Sequence, residues 1–300
     1  MDMEIKEETG KKRAVLVFML IGALTFGFAG VLTRICLFPD TVIASFRILL
    51  AGLILAPFCI TGVWKLLKEQ GIKRYLLLLI PALLLGIHFQ LWVIGLKRTY
   101  IAAASFIVTL SPVFFALTER LIFRGRLNKS TYLSLGLVVA GALWLLWIRG
   151  GKLGKEGDLF CFASMLFFVV YLLVSQRVSR GIPHLIYIHT IYLWGGLLTL
   201  PLSLITGDLA AVRFNDIASL SALMALAIFP SLIGHTALNY GVRYFPPLTV
   251  SFFTLLEPVF ATITAALFLS EFPGIGEFPS YILFVSATVI VMLKMKSKPG

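Results

Sequence analysis

Polar residues in this chain fall in short clusters, and between the clusters run stretches that are apolar for about twenty residues at a time, the length a helix needs to cross ~30 Å of hydrocarbon. Ten such stretches predict ten transmembrane helices, near residues 14–36, 41–61, 74–96, 100–123, 131–148, 158–178, 184–205, 217–240, 247–270 and 279–293. The apolar run after the mixed-charge tail 1–13 is longer than a signal peptide's core and lacks a small-residue cleavage site. It therefore reads as a first span and not as a removable leader.

The pattern is also duplicated. Residues 98–121 align without a gap to 244–267 at an offset of 146, pairing Ser105 with Ser251, Phe106 with Phe252, Leu110 with Leu256, and Pro112-Val113-Phe114 with Pro258-Val259-Phe260. The expected architecture is all-α: a first repeat over 14–148, a connecting loop over 149–157, a second repeat over 158–293 and a short tail over 294–300. Five spans per repeat is an odd number, so the second repeat is expected upside down relative to the first, an arrangement recurrent in secondary transporters.

Composition agrees with a membrane protein. The 300 residues are 59% hydrophobic and 13% charged, with a mean hydropathy of +0.96, far from soluble domains. A net charge of +12 could indicate nucleic-acid binding, but the basic residues sit in short loops and at the ends, with no continuous basic face, and no nucleic-acid partner is expected. Of the 26 Lys and Arg, 18 fall on the side of the N-terminus if the ten spans alternate. The positive-inside rule then places both termini in the cytoplasm of a multi-pass inner-membrane protein. The scattered Cys36, Cys59 and Cys161 read as small core residues, and neither a metal nor any cofactor is expected.

Inside hydrocarbon an ionisable side chain costs about 2.5–3.5 kcal/mol or more, so the few present are functional candidates. Glu257 lies mid-span, at the position where the first repeat has Ser111, and shares a small or polar helix face with Val250, Thr254, Ala261 and Thr264. A structural ion pair inside the bundle is the alternative. Arg47, in the second span, could bind a substrate carboxylate, pair with an acid such as Glu257, or snorkel to the interface. Ser231, His235 and Asn239 form an i, i+4 stripe that suits a wet cavity or interhelical hydrogen bonds. His88 and Gln90 point to different sides of the third span, and Gln90 is the preferred cavity residue. Tyr192, with His189 and Gly196 on one face of the seventh span, is a further candidate. Pro112 and Pro258 should kink the fourth and ninth spans.

What is missing narrows the chemistry. The run Arg149-Gly150-Gly151-Lys152-Leu153-Gly154-Lys155 imitates a phosphate loop, but its spacing fails and no Ser or Thr follows the Lys. The five Asp residues all fall in loops or at span edges, leaving no acidic pair for a metal-dependent transferase. An enzyme is not expected, although an intramembrane hydrolase using Ser111 and a His is an alternative.

The run 246–261, Pro-Pro-Leu-Thr-Val-Ser-Phe-Phe-Thr-Leu-Leu-Glu-Pro-Val-Phe-Ala, followed by Leu269-Ser270-Glu271, resembles the EamA domain of the drug/metabolite transporter superfamily. The first half is similar through Ser105-Phe106, Leu110-Ser111-Pro112-Val113-Phe114 and the run 135–141, and Arg47 stands where the family tends to carry an arginine. The fourth span departs from the family, with Gly125-Arg126 where Gly-Glu is common. The resemblance implies a ten-helix permease that moves small metabolites by alternating access, without naming a substrate. The candidate residues suit a small polar solute, an amino acid or related zwitterion foremost, with proton coupling and exchange both open. S-adenosyl compounds, nucleotide sugars and drugs are alternative cargoes, and the expected assembly is a monomer or homodimer in the lipid bilayer.

Overall fold

The computed structural model describes every residue except 1, 100, 149, 151, 152, 271 and 298–300, and all secondary structure among the described residues is helical. Arg149 and Lys152 of the connecting loop, Glu271 and the last residues of the C-terminal tail thus lie outside the described part.

The elements are α1 (Asp2–Ile35), α2 (Asp40–Leu76), α3 (Leu79–Arg98), α4 (Ile101–Thr109), α5 (Ser111–Leu121), α6 (Lys129–Ile148), α7 (Glu156–Val178) and α8 (His184–Ile205). After a 3-10 turn at Asp208–Ala211 come α9 (Ile217–Leu226), a π-helical stretch Ala227–His235 and α10 (Thr236–Gly241), which together make one continuous rod. Then α11 (Pro247–Ser251), a 3-10 stretch Phe252–Leu256 and α12 (Glu257–Leu269) make another, and α13 (Phe278–Ser297) closes the chain. Among the described residues, nine helical rods are long and apolar enough to cross a membrane.

The predicted fourth span is the one not counted. It is divided at Leu110 into α4 and α5, with Pro112 in the first turn of α5. Proline has no N–H to bond the preceding turn, so the α-helical ladder lapses just before it and restarts after it. Pro258 occupies the same place in the second copy, in the first turn of α12 behind the 3-10 stretch, which keeps that rod continuous. The predicted second span was too short: α2 runs on to Leu76, past a break at Gly71, whose φ of 78° only glycine takes readily.

The two halves interdigitate. The most extensive contacts join α2 to α8 and α3 to α7, while α1 lies along the α9–α10 rod and against α12, and α6 pairs with α13. The main apolar core draws on both halves, and a smaller cluster of Ala104, Ile107, Cys161 and Met165 joins α4 to α7. Leu37, Phe58, Trp64, Leu121, Trp147, Ile205 and Leu267 are exposed on the outside, as lipid-facing side chains are. At the α2–α8 crossing, Gly52 faces the backbone of Leu193 and Gly196 that of Leu49, so the helices meet backbone to backbone.

Polar contacts gather at the two ends. At one, Asp40 holds Lys97 at 3.0 Å and Arg98 at 2.8 Å, Thr41 Oγ1 donates to Asp208 at 2.6 Å, and Thr99 donates to Asp158. At the other, Arg74 donates to the carbonyls of Val178 and Arg180 at 2.9 and 2.6 Å, Gln70 to that of Gly181 at 3.1 Å, and Arg177 stacks on Phe123 at 4.6 Å.

Candidate functional site

Midway between these ends the helices line a cavity of about 50 Å³. Its charged and polar walls are Arg47 from α2, His88 from α3, His235 from the π-helical stretch, Thr254 from the 3-10 stretch and Glu257 at the start of α12. Aromatic rings supply most of the rest: Phe26 from α1, Phe89 and Trp92 from α3, and Phe168 from α7. A cavity of ~150 Å³ is what a benzene-sized guest needs, so this one has room for water and for nothing larger.

Arg47 is 1% exposed. Its Nε donates to Ser231 Oγ at 3.0 Å, and its guanidinium lies 4.3 Å from the centre of the Phe89 ring, a cation–π arrangement that spreads charge over a dry wall. Its Nη1 is buried with no hydrogen-bond partner. Glu257 is half-buried and faces the same cavity. Its carboxylate makes no ion pair or hydrogen bond among the described residues, although the charge of Arg47 acts on it. An acid and a guanidinium thus share one small chamber without touching. Left so, each carries much of the cost of a charge in hydrocarbon; a solute presenting an amine and a carboxylate would relieve both.

The remaining candidates frame this pair. His235 packs edge-on against Phe26 and Phe89, with ring centres 5.0 and 4.8 Å away, and its Nδ1 has no partner. Ser231 is joined to Arg47 and itself donates to the carbonyl of Leu226, five residues back. Tyr192 donates to the Ser231 carbonyl at 2.9 Å and meets Thr236 at 3.0 Å, and so braces the π-helical stretch from α8. Asn239 donates to Tyr171 and to the His235 carbonyl. Ser111 Oγ meets Thr254 Oγ1 at 3.3 Å, where the two duplicated segments cross.

Gln90 is not in the cavity. Its amide donates to the Thr41 carbonyl and Ser45 Oγ on α2, at 3.1 and 2.7 Å, and the third span presents His88 instead. His88 Nδ1 meets the carbonyl and hydroxyl of Ser164 on α7 at 2.9 Å, which sets the rotation of α3. Nothing in sequence spacing distinguishes the two faces. Trp92 is an aromatic that the sequence offers for either a cavity wall or the interfacial belt, whereas Phe26, Phe89 and Phe168 carry no such signal, because a Phe that lines a chamber and a Phe that fills a core look alike in a sequence. Among the described residues no cluster of three or more His, Cys, Asp or Glu could hold a metal ion.

Apolar rods of membrane-spanning length packed around this cavity mark a multi-pass membrane protein. The chain belongs to the EamA-like transporter family, whose sequence profile matches residues 13–147 and again 155–293. It is 22% identical to YdfC of Bacillus subtilis over 92% of this chain and 90% of that protein, and 24% identical to YyaM of the same organism over 70% and 68%; both are named uncharacterized transporters. A solved crystal structure 17% identical in sequence superposes with a TM-score of 0.73 over 94% of this chain and 97% of the other, a likeness of fold.

Proposed function

We propose that the protein is a secondary carrier that moves a small zwitterion, an amino acid or related compound, across the inner membrane by alternating access. Arg47 takes the carboxylate of the solute, Glu257 takes its ammonium group or a proton in its place, and His235, Thr254 and the aromatic walls bound the rest. The observation that carries this reading is the pair of opposite charges lining one small cavity without contact.

The arrangement of helices supports ten crossings in two inverted repeats. Thr99, before α4, bonds at the Asp40 end, whereas Phe123, after α5, stacks at the Arg74 end, so the divided fourth segment runs the whole length of the bundle. Contacts also recur in pairs under the repeat: α3 along α7 corresponds to the α9–α10 rod along α1, and α2 against α8 corresponds to itself. With the basic loops facing inward, both termini are cytoplasmic.

The test is uptake of a mixture of the twenty radiolabelled amino acids into proteoliposomes by wild type and Glu257→Gln. The variant should insert and melt normally and show no saturable uptake. Uptake at the wild-type rate in Glu257→Gln rejects the assignment.

A further inference from the structure

The loop that joins α7 to α8 bounds a pocket of about 520 Å³, larger than the central cavity and sharing no lining residue with it. Its walls include Gln176, Ser179, Arg180, Pro183 and Arg243. The backbone acceptors of this loop are taken. The carbonyls of Val178 and Arg180 accept from Arg74 at 2.9 and 2.6 Å, that of Gly181 accepts from Gln70 at 3.1 Å, and those of Ser179, at 2.7 Å, and Ile182 accept from Arg243. Five consecutive carbonyls are thus bonded by side chains, and α2 and the segment after α10 hold the loop in place.

With those acceptors occupied, the pocket presents donors and positive charge. Arg243 uses only Nη2 on the loop, and its Nε and Nη1 bond nothing among the described residues. The Arg180 guanidinium and the Gln176 amide likewise make no hydrogen bond or ion pair there. Ser179 is 2% exposed, and its Oγ is buried without a partner, which is costly unless something outside the chain bonds it. At the same wall α8 begins behind Pro183, which supplies no side-chain cap, so the first-turn N–H groups and the positive end of the helix dipole are left uncompensated. Among the described residues no Asp or Glu lines the pocket.

We propose that this pocket binds a phosphate group. Arg180 and Arg243 grip its oxygens with the planar fork that suits phosphate, and Ser179, Gln176 and the first turn of α8 supply the neutral donors. A helix N-terminus alone is a weak anion site; two unpaired guanidiniums and an unbonded buried hydroxyl beside it make a charged cradle. The phosphate is the head of an anionic phospholipid, which basic pockets between membrane helices attract, or a free anion in the water at that end of the bundle. Bound there, it links α7, α8 and the segment after α10, and so stabilises the fold without touching the central cavity.

The test follows melting of the purified protein in nanodiscs of phosphatidylcholine as inorganic phosphate replaces chloride at constant ionic strength, and again in nanodiscs with increasing phosphatidylglycerol. A ligand of the folded state raises the melting temperature by mass action. Phosphate also stabilises proteins by exclusion from their surface, an effect that the loss of one side chain does not alter. Arg180→Gln, at an exposed side chain that bonds nothing, should fold as the wild type does and weaken the apparent affinity by about tenfold or more. Ser179→Ala keeps the charge and should weaken it by about threefold. Lys129→Gln removes one positive charge outside the pocket and should leave it unchanged. A rise with inorganic phosphate that Arg180→Gln loses supports a soluble ligand, and a rise with phosphatidylglycerol that it loses supports a lipid headgroup; either upholds the site. No rise with either probe, a rise unchanged in both pocket variants, or one that falls equally in Lys129→Gln overturns it. No transported solute enters the assay, so the result is independent of the carrier reading.

Discussion

The crossing of α2 and α8 fixes the site, and a single methyl group tests it. A Cβ on residue 52 would lie 2.5 Å from the Leu193 nitrogen and 2.8 Å from its Cα, and one on residue 196 would lie 2.6 Å from Leu49 Cβ and 2.8 Å from Leu49 Cα. Carbon contacts are comfortable from about 3.5 Å, so the helices must part by roughly 1 Å. The obstacle is mostly backbone, so no rotamer change relieves it. Overpacking of this kind costs about 1–3 kcal/mol. Arg47 and Tyr192 stand about one turn from the crossing, and both reach Ser231, at 3.0 and 2.9 Å. A displacement of ~1 Å takes such bonds outside hydrogen-bonding range. Gly52→Ala should therefore lower the melting temperature in detergent and weaken uptake together. Gly136→Ala is the control: nothing lies within 4 Å of the added carbon, and replacing a helical glycine stabilises by up to about 1 kcal/mol. If the two variants melt alike, the backbone contact at Gly52 is not what holds α2 on α8.

Three further outcomes follow. Arg47→Lys keeps the charge but loses the planar fork that bonds Ser231 and lies over Phe89; apparent affinity for the solute should fall by about tenfold or more in uptake kinetics. Tyr192→Phe strips a donor from the Ser231 carbonyl and a partner from Thr236, and should cost about 1–3 kcal/mol in chemical denaturation because the carbonyl stays buried. Asp40→Asn removes the ion pairs to Lys97 and Arg98, which are partly exposed; the loss should stay below about 1 kcal/mol and shrink further in high salt, as melting curves at two ionic strengths would reveal.

The helical fold was legible because lipid leaves a chain little choice: each spanning segment must satisfy its own backbone, and the apolar runs mark where. Glu257 and Arg47 stood out for the same reason, and they do line one chamber together with His235 and Thr254. The phase of each helix was not legible. Gln90 was preferred over His88, but rotation of α3 is decided by the bond from His88 to Ser164, whose partner lies 76 residues away. The stripe of Ser231, His235 and Asn239 assumed a regular α-helix. The π-helical stretch over Ala227–His235 shifts that register. The contributions of α1 and α7 to the wall, through Phe26 and Phe168, depend on tertiary packing that no local pattern encodes.

The central claim is that Arg47 and Glu257 recognise the two charges of one solute, and ligand-induced stabilisation of the purified protein tests it most directly. A ligand that binds only the folded state at 100 times its Kd adds about 2.7 kcal/mol. Each of the twenty amino acids is compared with its methyl ester, which lacks the carboxylate, and its desamino acid, which lacks the amine. The account predicts that at least one amino acid raises the melting temperature, that neither of its analogues does, and that Glu257→Gln abolishes the rise. Equal stabilisation by an amino acid and its methyl ester, or a rise that survives in Glu257→Gln, would contradict it.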